Sequence, residues 1–266
     1  MDNYKISFGI CTYNRKGILE KSVQSLKNIK GIENVHLIVF DDCSDEYNMD
    51  YLKSIFPSSA QINRQERNEG ADKNTSLLYE KFLESDDEWL FTADSDLIYR
   101  SDLLDAIMFY KDKSNGFMSF FNCISHKIVG KNKWFVFKAS VGAAGCLIRR
   151  DVVKIILDNI QHRDIGFDVG FSKLLRKKGF MLNATKKSYV QHIGVSGFNS
   201  RDINFDYGEG FIIDSKDNAE IVEQTFEQYI KSVNKFRNRS DWRAFYFIIS
   251  IHRRIRRVIS GLCRLK

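Results

Sequence analysis

Two aspartates separated by one residue come directly after a short apolar segment. Asp94, Ser95 and Asp96 follow Glu88–Ala93, which reads EWLFTA and is typical of a buried strand. Carboxylates are the hard oxygen ligands that Mg²⁺ and Mn²⁺ prefer, with phosphate and water completing the shell. A divalent ion held there would neutralise the charge of a departing diphosphate. An Asp-x-Asp match alone is common by chance, so the position at a strand end is what favours a metal site.

Two further polar clusters follow apolar segments of the same kind. A carboxylate at a strand end can accept hydrogen bonds from a nucleotide base or a ribose. The residues concerned are Thr12, Tyr13 and Asn14 after segment 4–11, and Asp41 and Asp42 after segment 35–40. The same residue types cap helices and form turns, so both interpretations stay open for any one cluster. Three such clusters in succession favour a binding site.

These clusters need a scaffold that brings several strand ends to one edge. Apolar segments alternate with helical periodicity along the first 110 residues, which is typical of a parallel sheet with crossover helices. The predicted strands are 4–11, 35–40, 60–64 and 88–93, and the predicted helices are a helix from about residue 18, then 47–56, 72–83 and 102–110. Ligands gather at the carboxyl ends of the strands in such sheets.

The second half of the chain is predicted to be less regular. The predicted elements are strands and a hairpin over 116–137, helices over 148–160 and 167–178, a strand over 189–191, a helix over 219–236 and a last helix from Trp242 onward. The low proline content and the lack of a Gly/Ser-rich linker favour one compact unit over two tethered domains.

Seven segments, in their order along the chain, resemble family 2 glycosyltransferases with the GT-A fold. They are ISFGICTYNR, VHLIVFDDCSD, RNEGADKN, WLFTADSDLI, GAAGCLIRRDVV, GFDVGFSKLLRKKG and YVQHIGVSG. The resemblance covers residues 4–197 and implies an α/β fold of the GT-A type, with a Rossmann-like, mostly parallel central sheet flanked by helices. We expect a GT-A domain over 1–215 and a basic, helical C-terminal extension over 216–266.

The resemblance also implies the nucleotide site. The second Asp of the DD pair reads the base in that family, so Asp42 is the candidate and Asp41 a weaker neighbour. Lys73 would approach the nucleotide or its phosphates, and Asp94 would lie near the ribose or a metal-bound water. The nucleotide-binding candidates are Thr12, Tyr13, Asn14, Asp41, Asp42, Lys73, Asp94 and Ser95.

The metal ligands and the base follow from the same resemblance. Asp96 would bind Mn²⁺ or Mg²⁺ directly, and His192 is implied as a further ligand, although it is equally compatible with a hydrogen-bonded loop histidine. The family places its general base in a Glu-Asp pair at the start of a late helix, and here the pair is Phe167-Asp168. Asp168 is therefore the candidate base, without the neighbouring acid. The alternative is a solvated acid favoured by the helix dipole.

The implied reaction is the transfer of a sugar, with inversion, from a nucleotide-diphosphate sugar to a hydroxyl of a glycan or lipid-linked acceptor. A uridine donor and a role in cell-surface polysaccharide biosynthesis are expected. A sugar nucleotidyltransferase is the first alternative, although TYNRKG is a poor substitute for its phosphate loop. A non-catalytic nucleotide-sugar-binding module is the second, because Phe167 replaces an acid.

Charge is concentrated at the C-terminus. The chain carries +7, but segment 237–266 has nine basic residues against one acid, which leaves −1 for the remainder. Apolar residues alternate with arginines there, so an anionic membrane surface is a candidate partner, and a helix docked on the domain is the alternative. Because the body is nearly neutral, we expect no nucleic-acid partner. Scattered cysteines, and an N-terminal segment without a basic region before an apolar stretch, predict a cytoplasmic protein, with a peripheral membrane position as an option.

Overall fold

The computed structural model describes residues 4–160, 166–195 and 206–237. The strands are β1 Ile6–Thr12, β2 His36–Asp41, β3 Gln61–Arg64, β4 Trp89–Asp94, β5 Leu97–Tyr99, β6 Phe117–Ser119, β7 Ile128–Lys131, β8 Phe135–Lys138, β9 Cys146–Arg149, β10 Asn183–Thr185 and β11 Val190–His192. The helices are α1 Lys16–Lys27, α2 Met49–Ile55, α3 Ala71–Glu84, α4 Leu103–Tyr110, α5 Arg150–Asn159, α6 Phe167–Lys177 and α7 Lys216–Arg237.

Nine of the strands form one sheet in the order β3-β2-β1-β4-β9-β6-β10-β8-β7, and β11 pairs with β5 in a second, two-stranded sheet. The four strands β3, β2, β1 and β4 are mutually parallel. Within the large sheet β8 and β9 alone run against the common direction. The architecture is α/β with a mostly parallel central sheet, which confirms the predicted fold class.

Helices cover both faces of the sheet because alternate residues of each strand point to opposite sides. On β4, Trp89 and Phe91 join a cluster with residues of α1 and α4, whereas Leu90 joins a cluster with residues of α3, α5 and α6. Phe91 also stacks on Phe8 of β1 at 4.3 Å between ring centroids. Strands buried on both faces explain why the sequence shows continuous apolar segments rather than an alternating pattern.

The close approach of α3 to β1 depends on a glycine. A Cβ built on Gly9 would lie 2.8 Å from a methyl carbon of Leu78, so a larger residue would displace the Leu78 side chain from its packing against β1. α3 packs against β1 and β2, and near its start the Asn74 amide donates to the backbone carbonyl of Phe40 in β2 at 3.0 Å.

One predicted boundary is wrong. The helix predicted over 148–160 begins only at Arg150, because Cys146–Arg149 forms β9, an antiparallel strand between β4 and β6. The apolar residues of β9 run into the first turn of α5 without a turn signal between them, and periodicity alone cannot separate a short buried strand from a helix. The predicted strands around β1, β2, β3 and β4 agree with the structure.

By its internal contacts the chain divides into two units. The first comprises Met1–Gly194 and Asp206–Val222 and contains the whole sheet. The second comprises Val195–Phe205 and Glu223–Lys266. The predicted division at 215/216 stays a prediction. The helix predicted from Trp242, and nearly all of segment 237–266 with its proposed membrane contact, lie outside the described residues. None of the helices in the described ranges is long and apolar enough to cross a bilayer.

Candidate active site

The three polar clusters lie side by side at one edge of the sheet. β1 is the middle strand, with Thr12 opposite Asp41 of β2 and Cys11 opposite Asp94 of β4. Neighbouring strands are about 4.8 Å apart, so these strand ends form one continuous polar surface. The half-buried thiol of Cys11 reflects this arrangement, because desolvation first, and then the charges of Asp94 and Asp42, raise its pKa.

Asp41 is fully buried and its carboxylate is occupied by protein donors. The Thr12 hydroxyl donates to it at 2.9 Å, and Ser44 donates through both its hydroxyl and its backbone N–H. The Arg64 guanidinium completes the set at 2.6 Å and also donates to two backbone carbonyls. Asp41 and Thr12 therefore fix the turn after β2. Their predicted contacts with a nucleotide stay predictions.

Asp42 anchors the loop that leads into α3. One carboxylate oxygen accepts from the backbone N–H of Glu69 at 2.8 Å, and the other accepts from that of Gly70 at 2.9 Å. Each oxygen keeps a further lone pair, so these bonds leave room for a base N–H. The geometry shows an anchoring role for Asp42, and the base-reading role stays a prediction.

Tyr13 and Asn14 form the turn between β1 and α1. Tyr13 is 39% exposed, which leaves its ring available to a ligand. Asn14 adopts a positive φ of 49°, and its side-chain oxygen accepts from the N–H groups of Asp45 and Glu46. Lys73 lies in the first turn of α3 and is half-buried. These placements are compatible with the predicted nucleotide contacts and do not test them.

Asp96 lies at the centre of a charged cluster. Its Oδ2 accepts from Arg15 at 2.8 Å and lies 3.1 Å from Nε2 of His192 on β11. Arg15 also reaches the Ser95 hydroxyl at 3.4 Å. The Asp96 side chain is only 4% exposed, so these bonds form with little competition from water.

The cluster leaves no space for a side chain at Gly194. A Cβ there would lie 2.2 Å from Oδ2 of Asp96 and 2.9 Å from both Arg15 and His192. Because Gly194 does not have a positive φ, the reason for a glycine at this position is space rather than backbone conformation.

The cluster shifts the pKa values of the two aspartates in opposite directions. Burial, and then the charge of Asp96, raise the pKa of Asp94 to about 6. Burial acts in the same direction on Asp96, but His192 and Arg15 outweigh it and hold the pKa of Asp96 well below its usual range. Burial lowers the pKa of His192, yet Asp96 and Asp94 raise it overall to about 9. The cluster therefore pairs a carboxylate with two cations.

The donor set at Asp96 fits a divalent ion held by few protein ligands. Its Oδ1 is buried and has no hydrogen-bond partner among the described residues, which is costly for a carboxylate oxygen unless something binds it. Within the described ranges no group of three or more His, Cys, Asp or Glu residues is arranged to hold a metal. Mg²⁺ commonly takes only one or two carboxylates and completes its shell with phosphate and water. His192 is already bonded to Asp96, so its role as a metal ligand stays a prediction.

Asp168 lies in the first turn of α6 and is half-buried. The charge of Asp168 adds to the raised pKa of Asp94, in which burial and Asp96 contribute more. It also adds to the raised pKa of Cys146, in which burial contributes most. It also acts on His126, whose pKa is lowered by burial and by Lys138 and partly restored by Asp206 and then by Asp168. The charge of Asp168 therefore acts on Asp94 although the two residues are more than 70 positions apart in the chain.

Phe167, where an acid was expected, is a core residue. It is 3% exposed and its ring meets those of Tyr79 at 5.3 Å and Phe171 at 6.0 Å. Its backbone N–H donates to the carboxylate of Asp72 on α3 at 3.2 Å.

Sequence reasoning missed the roles of Arg15 and Gly194. Arg15 follows Asn14 in the TYNR segment, and both residues have positive φ values, which aim the arginine at Asp96, 81 residues away. A basic residue in that turn was a signal, but its target depends on the backbone conformation. For Gly194, the sequence shows a glycine in QHIGVSG but does not indicate that it packs against Asp96.

Solved structures of S. aureus TarS resemble this fold. TarS 1–349 in complex with UDP-GlcNAc matches with a TM-score of 0.54 at 13% identity, over 90% of this chain and 68% of that one. TarS 1–349 alone gives 0.53 at 13% identity, over 90% and 66%, and a further TarS structure gives 0.51 at 14% identity, over 90% and 40%. This chain thus spans about two thirds of TarS 1–349 and less than half of the longer TarS chain. At this identity the likeness establishes the fold.

No curated protein matches the chain in sequence. The sequence profile described as glycosyl transferase family 2 matches residues 7–181, which include all three strand-end clusters and Asp168. That match covers well over half of the chain, and it agrees with the sheet order and with the resemblance found in the seven segments. The chain therefore belongs to glycosyl transferase family 2.

Proposed function

We propose that this protein is an inverting glycosyltransferase that moves a sugar from a uridine diphosphate sugar to a hydroxyl of a glycan or a lipid-linked acceptor. The observation that supports this most is the position of the three polar clusters side by side at the carboxyl ends of β1, β2 and β4, where the charge of Asp168 also acts on Asp94. A site for this reaction needs a base for the acceptor and counter-charges for the leaving diphosphate, at opposite sides of one carbon. The TarS structures with UDP-GlcNAc and UDP support the choice of donor class.

In the proposed reaction Asp168 accepts the proton of the acceptor hydroxyl. The hydroxyl oxygen forms a bond to the anomeric carbon while the bond from that carbon to the diphosphate oxygen breaks, and the nucleoside diphosphate leaves with the electron pair. Attack opposite the leaving group inverts the configuration. A first-turn position on α6 suits Asp168, because the helix N-terminus stabilises its carboxylate before the proton is transferred.

Residues at the strand ends would hold the donor. In this proposal Asp42 accepts a hydrogen bond from the base, Tyr13 packs on it with Thr12 and Asn14 beside it, and Asp94 and Ser95 face the ribose. Lys73 and Arg15 carry positive charge toward the diphosphate. The side chain of Arg15 is 30% exposed, so part of it remains accessible to a ligand.

We further propose that catalysis depends on Mn²⁺ or Mg²⁺. Asp96 would hold the ion through Oδ1, with His192 as the candidate second ligand. When bound, the ion would supply positive charge against the diphosphate. The membrane contact through 237–266, the cytoplasmic location and the role in cell-surface polysaccharide biosynthesis are proposals that depend on the identity of the acceptor.

A thermal-shift screen of nucleotide sugars, each with and without Mn²⁺, followed by product analysis, tests the proposal. Ligands that bind the native state raise its melting temperature, so a uridine diphosphate sugar with Mn²⁺ should give the largest shift. Incubation with that donor and an acceptor should release nucleoside diphosphate. Release of pyrophosphate would indicate a nucleotidyltransferase instead. Binding without hydrolysis or transfer under any condition would indicate a non-catalytic module.

A further inference from the structure

We propose that Asp72, on α3, holds the start of α6 in place and is thereby a positioning residue for Asp168. This inference rests on the proposed function, because it assumes that Asp168 is the base. The direct observation is the hydrogen bond from the backbone N–H of Phe167 to Oδ1 of Asp72 at 3.2 Å, between residues 95 positions apart.

The bond gives the first backbone N–H of α6 an acceptor, which the N-cap residue of this helix cannot provide. The first N–H groups of a helix have no partner within the helix, and a side chain at the N-cap commonly accepts from one of them. The N-cap of α6 is Gly166, which has no side chain to offer. Asp72 takes over that function from another helix, and its negative charge suits the positive end of the α6 dipole.

Asp72 is itself held in place. The two residues before α3, Glu69 and Gly70, donate their N–H groups to Asp42 at the end of β2. The backbone carbonyl of Asp72 accepts from the Ser76 hydroxyl at 3.0 Å within α3. A chain of short contacts therefore runs from the sheet through the first turn of α3 to the first residue of α6.

The side chain of Phe167 also contacts α3. Its ring packs edge to face on Tyr79 of α3, while its backbone N–H donates to Asp72, which lies nearer the start of the same helix. The backbone of Phe167 and its side chain are thus both located by α3, and Asp168 is the next residue. The position where an acid was expected holds a phenylalanine, and the carboxylate that serves the start of this helix comes from Asp72 instead.

The consequence is specific to catalysis. A base must lie within about 3 Å of the proton it takes, and a misplacement of about 1 Å can cost on the order of 100-fold in rate. Loss of the Asp72 bond frees the first turn of α6 and should lower kcat. The donor site at the strand ends does not include Asp168, so donor affinity should change little.

Asp72→Ala and Asp72→Asn in the full chain separate positioning from general stability. Asparagine keeps an acceptor oxygen at the same place, whereas alanine removes it. We expect Asp72→Ala to lower kcat by about 10- to 100-fold with a donor Kd within about 2-fold of wild type, and Asp72→Asn to restore most of the rate. Asp105→Ala is the matched control, because Asp105 is an exposed acid in the first turn of α4, outside the site.

Hydrogen exchange gives a readout that does not need activity. The amide of Phe167 should exchange at least about 10-fold faster in Asp72→Ala than in wild type, and at close to the wild-type rate in Asp72→Asn. If Asp72→Ala does not fold, Asp72→Glu carries the carboxylate one methylene further and should show an intermediate loss of kcat.

Wild-type kcat and wild-type Phe167 exchange in Asp72→Ala would overturn the inference, and so would an Asp72→Asn variant as impaired as Asp72→Ala. Absence of sugar transfer by the wild type would instead overturn the proposed function. The exchange rates would then still decide whether Asp72 holds α6.

Discussion

Gly194→Ala should displace the carboxylate at the centre of the charged cluster. The new Cβ would lie 2.2 Å from Oδ2 of Asp96, whereas ordinary contact begins at 3.4 Å, so the two atoms must separate by about 1.2 Å to reach it. Arg15 and His192 close off two other directions, each at 2.9 Å from the same Cβ. The 2.8 Å bond between Asp96 and Arg15 cannot survive a shift of that size without movement of the arginine.

The expected loss of stability has two contributions. Overpacking of a filled site costs about 1–3 kcal/mol, and loss of a charge-assisted hydrogen bond costs about 1.5–3 kcal/mol. Because the two contributions overlap, they do not add in full, and we expect a loss of about 3–4 kcal/mol in the free energy of unfolding. At about 2–4 °C per kcal/mol, Tm should fall by roughly 10 °C. Turnover should fall about 100-fold, since the Asp96 carboxylate moves by about 1 Å.

Differential scanning calorimetry and a donor-turnover assay would measure both effects. Gly17→Ala is the matched control, because a Cβ at that exposed position in α1 meets nothing within 4 Å. That control should be neutral or stabilised by about 0.5–1 kcal/mol, as expected for alanine in place of a helical glycine. A Gly194→Ala protein with wild-type Tm and wild-type turnover would refute the packing argument and the importance of the Asp96 cluster.

Three further predictions follow from single side chains. Asp96→Asn should weaken Mn²⁺ binding at least about 10-fold by isothermal titration calorimetry, and an unchanged affinity would remove Asp96 as a ligand. Phe167→Ala should cost about 3–5 kcal/mol in urea unfolding, because the ring is buried against Tyr79 and Phe171, whereas a cost below about 1 kcal/mol would contradict its core position. Burial raises the pKa of Cys146 to about 12, so its thiolate fraction at pH 8 is on the order of 10⁻⁴. Iodoacetamide should therefore label Cys146, as read by mass spectrometry, only after denaturation, and rapid labelling of the native protein would count against its burial.

The elements that carry the strand-end clusters were readable from the sequence. β1, β2 and β4 are continuous apolar segments that end abruptly at polar residues, because both faces of each strand are covered by helices. A buried segment followed by acids has few other interpretations, so the position of Asp94 at a strand end could be predicted and is confirmed.

The contacts between distant segments could not be predicted from the sequence. The second half of β9, Ile148 and Arg149, was assigned to a helix, since the pairing of β9 with β4 and β6 leaves no local signal. The pairing of Arg15 with Asp96 depends on two residues with positive φ, and the bond from Phe167 to Asp72 joins two helices whose packing no periodicity specifies. The sequence identified the missing acid at Phe167, and only the fold identified the acid that lies at the start of that helix.

Asp168→Asn, studied with a uridine diphosphate sugar and Mn²⁺, tests the central claim most directly. Asparagine is nearly the same size as aspartate but cannot accept the acceptor's proton, so transfer should fall by about 10²- to 10⁴-fold while donor Kd stays within about 2-fold. Single-turnover measurement of sugar transfer, with donor binding followed by calorimetry on the same protein, would show both. Full turnover in a correctly folded Asp168→Asn protein would contradict the assignment of the base and the reaction built on it.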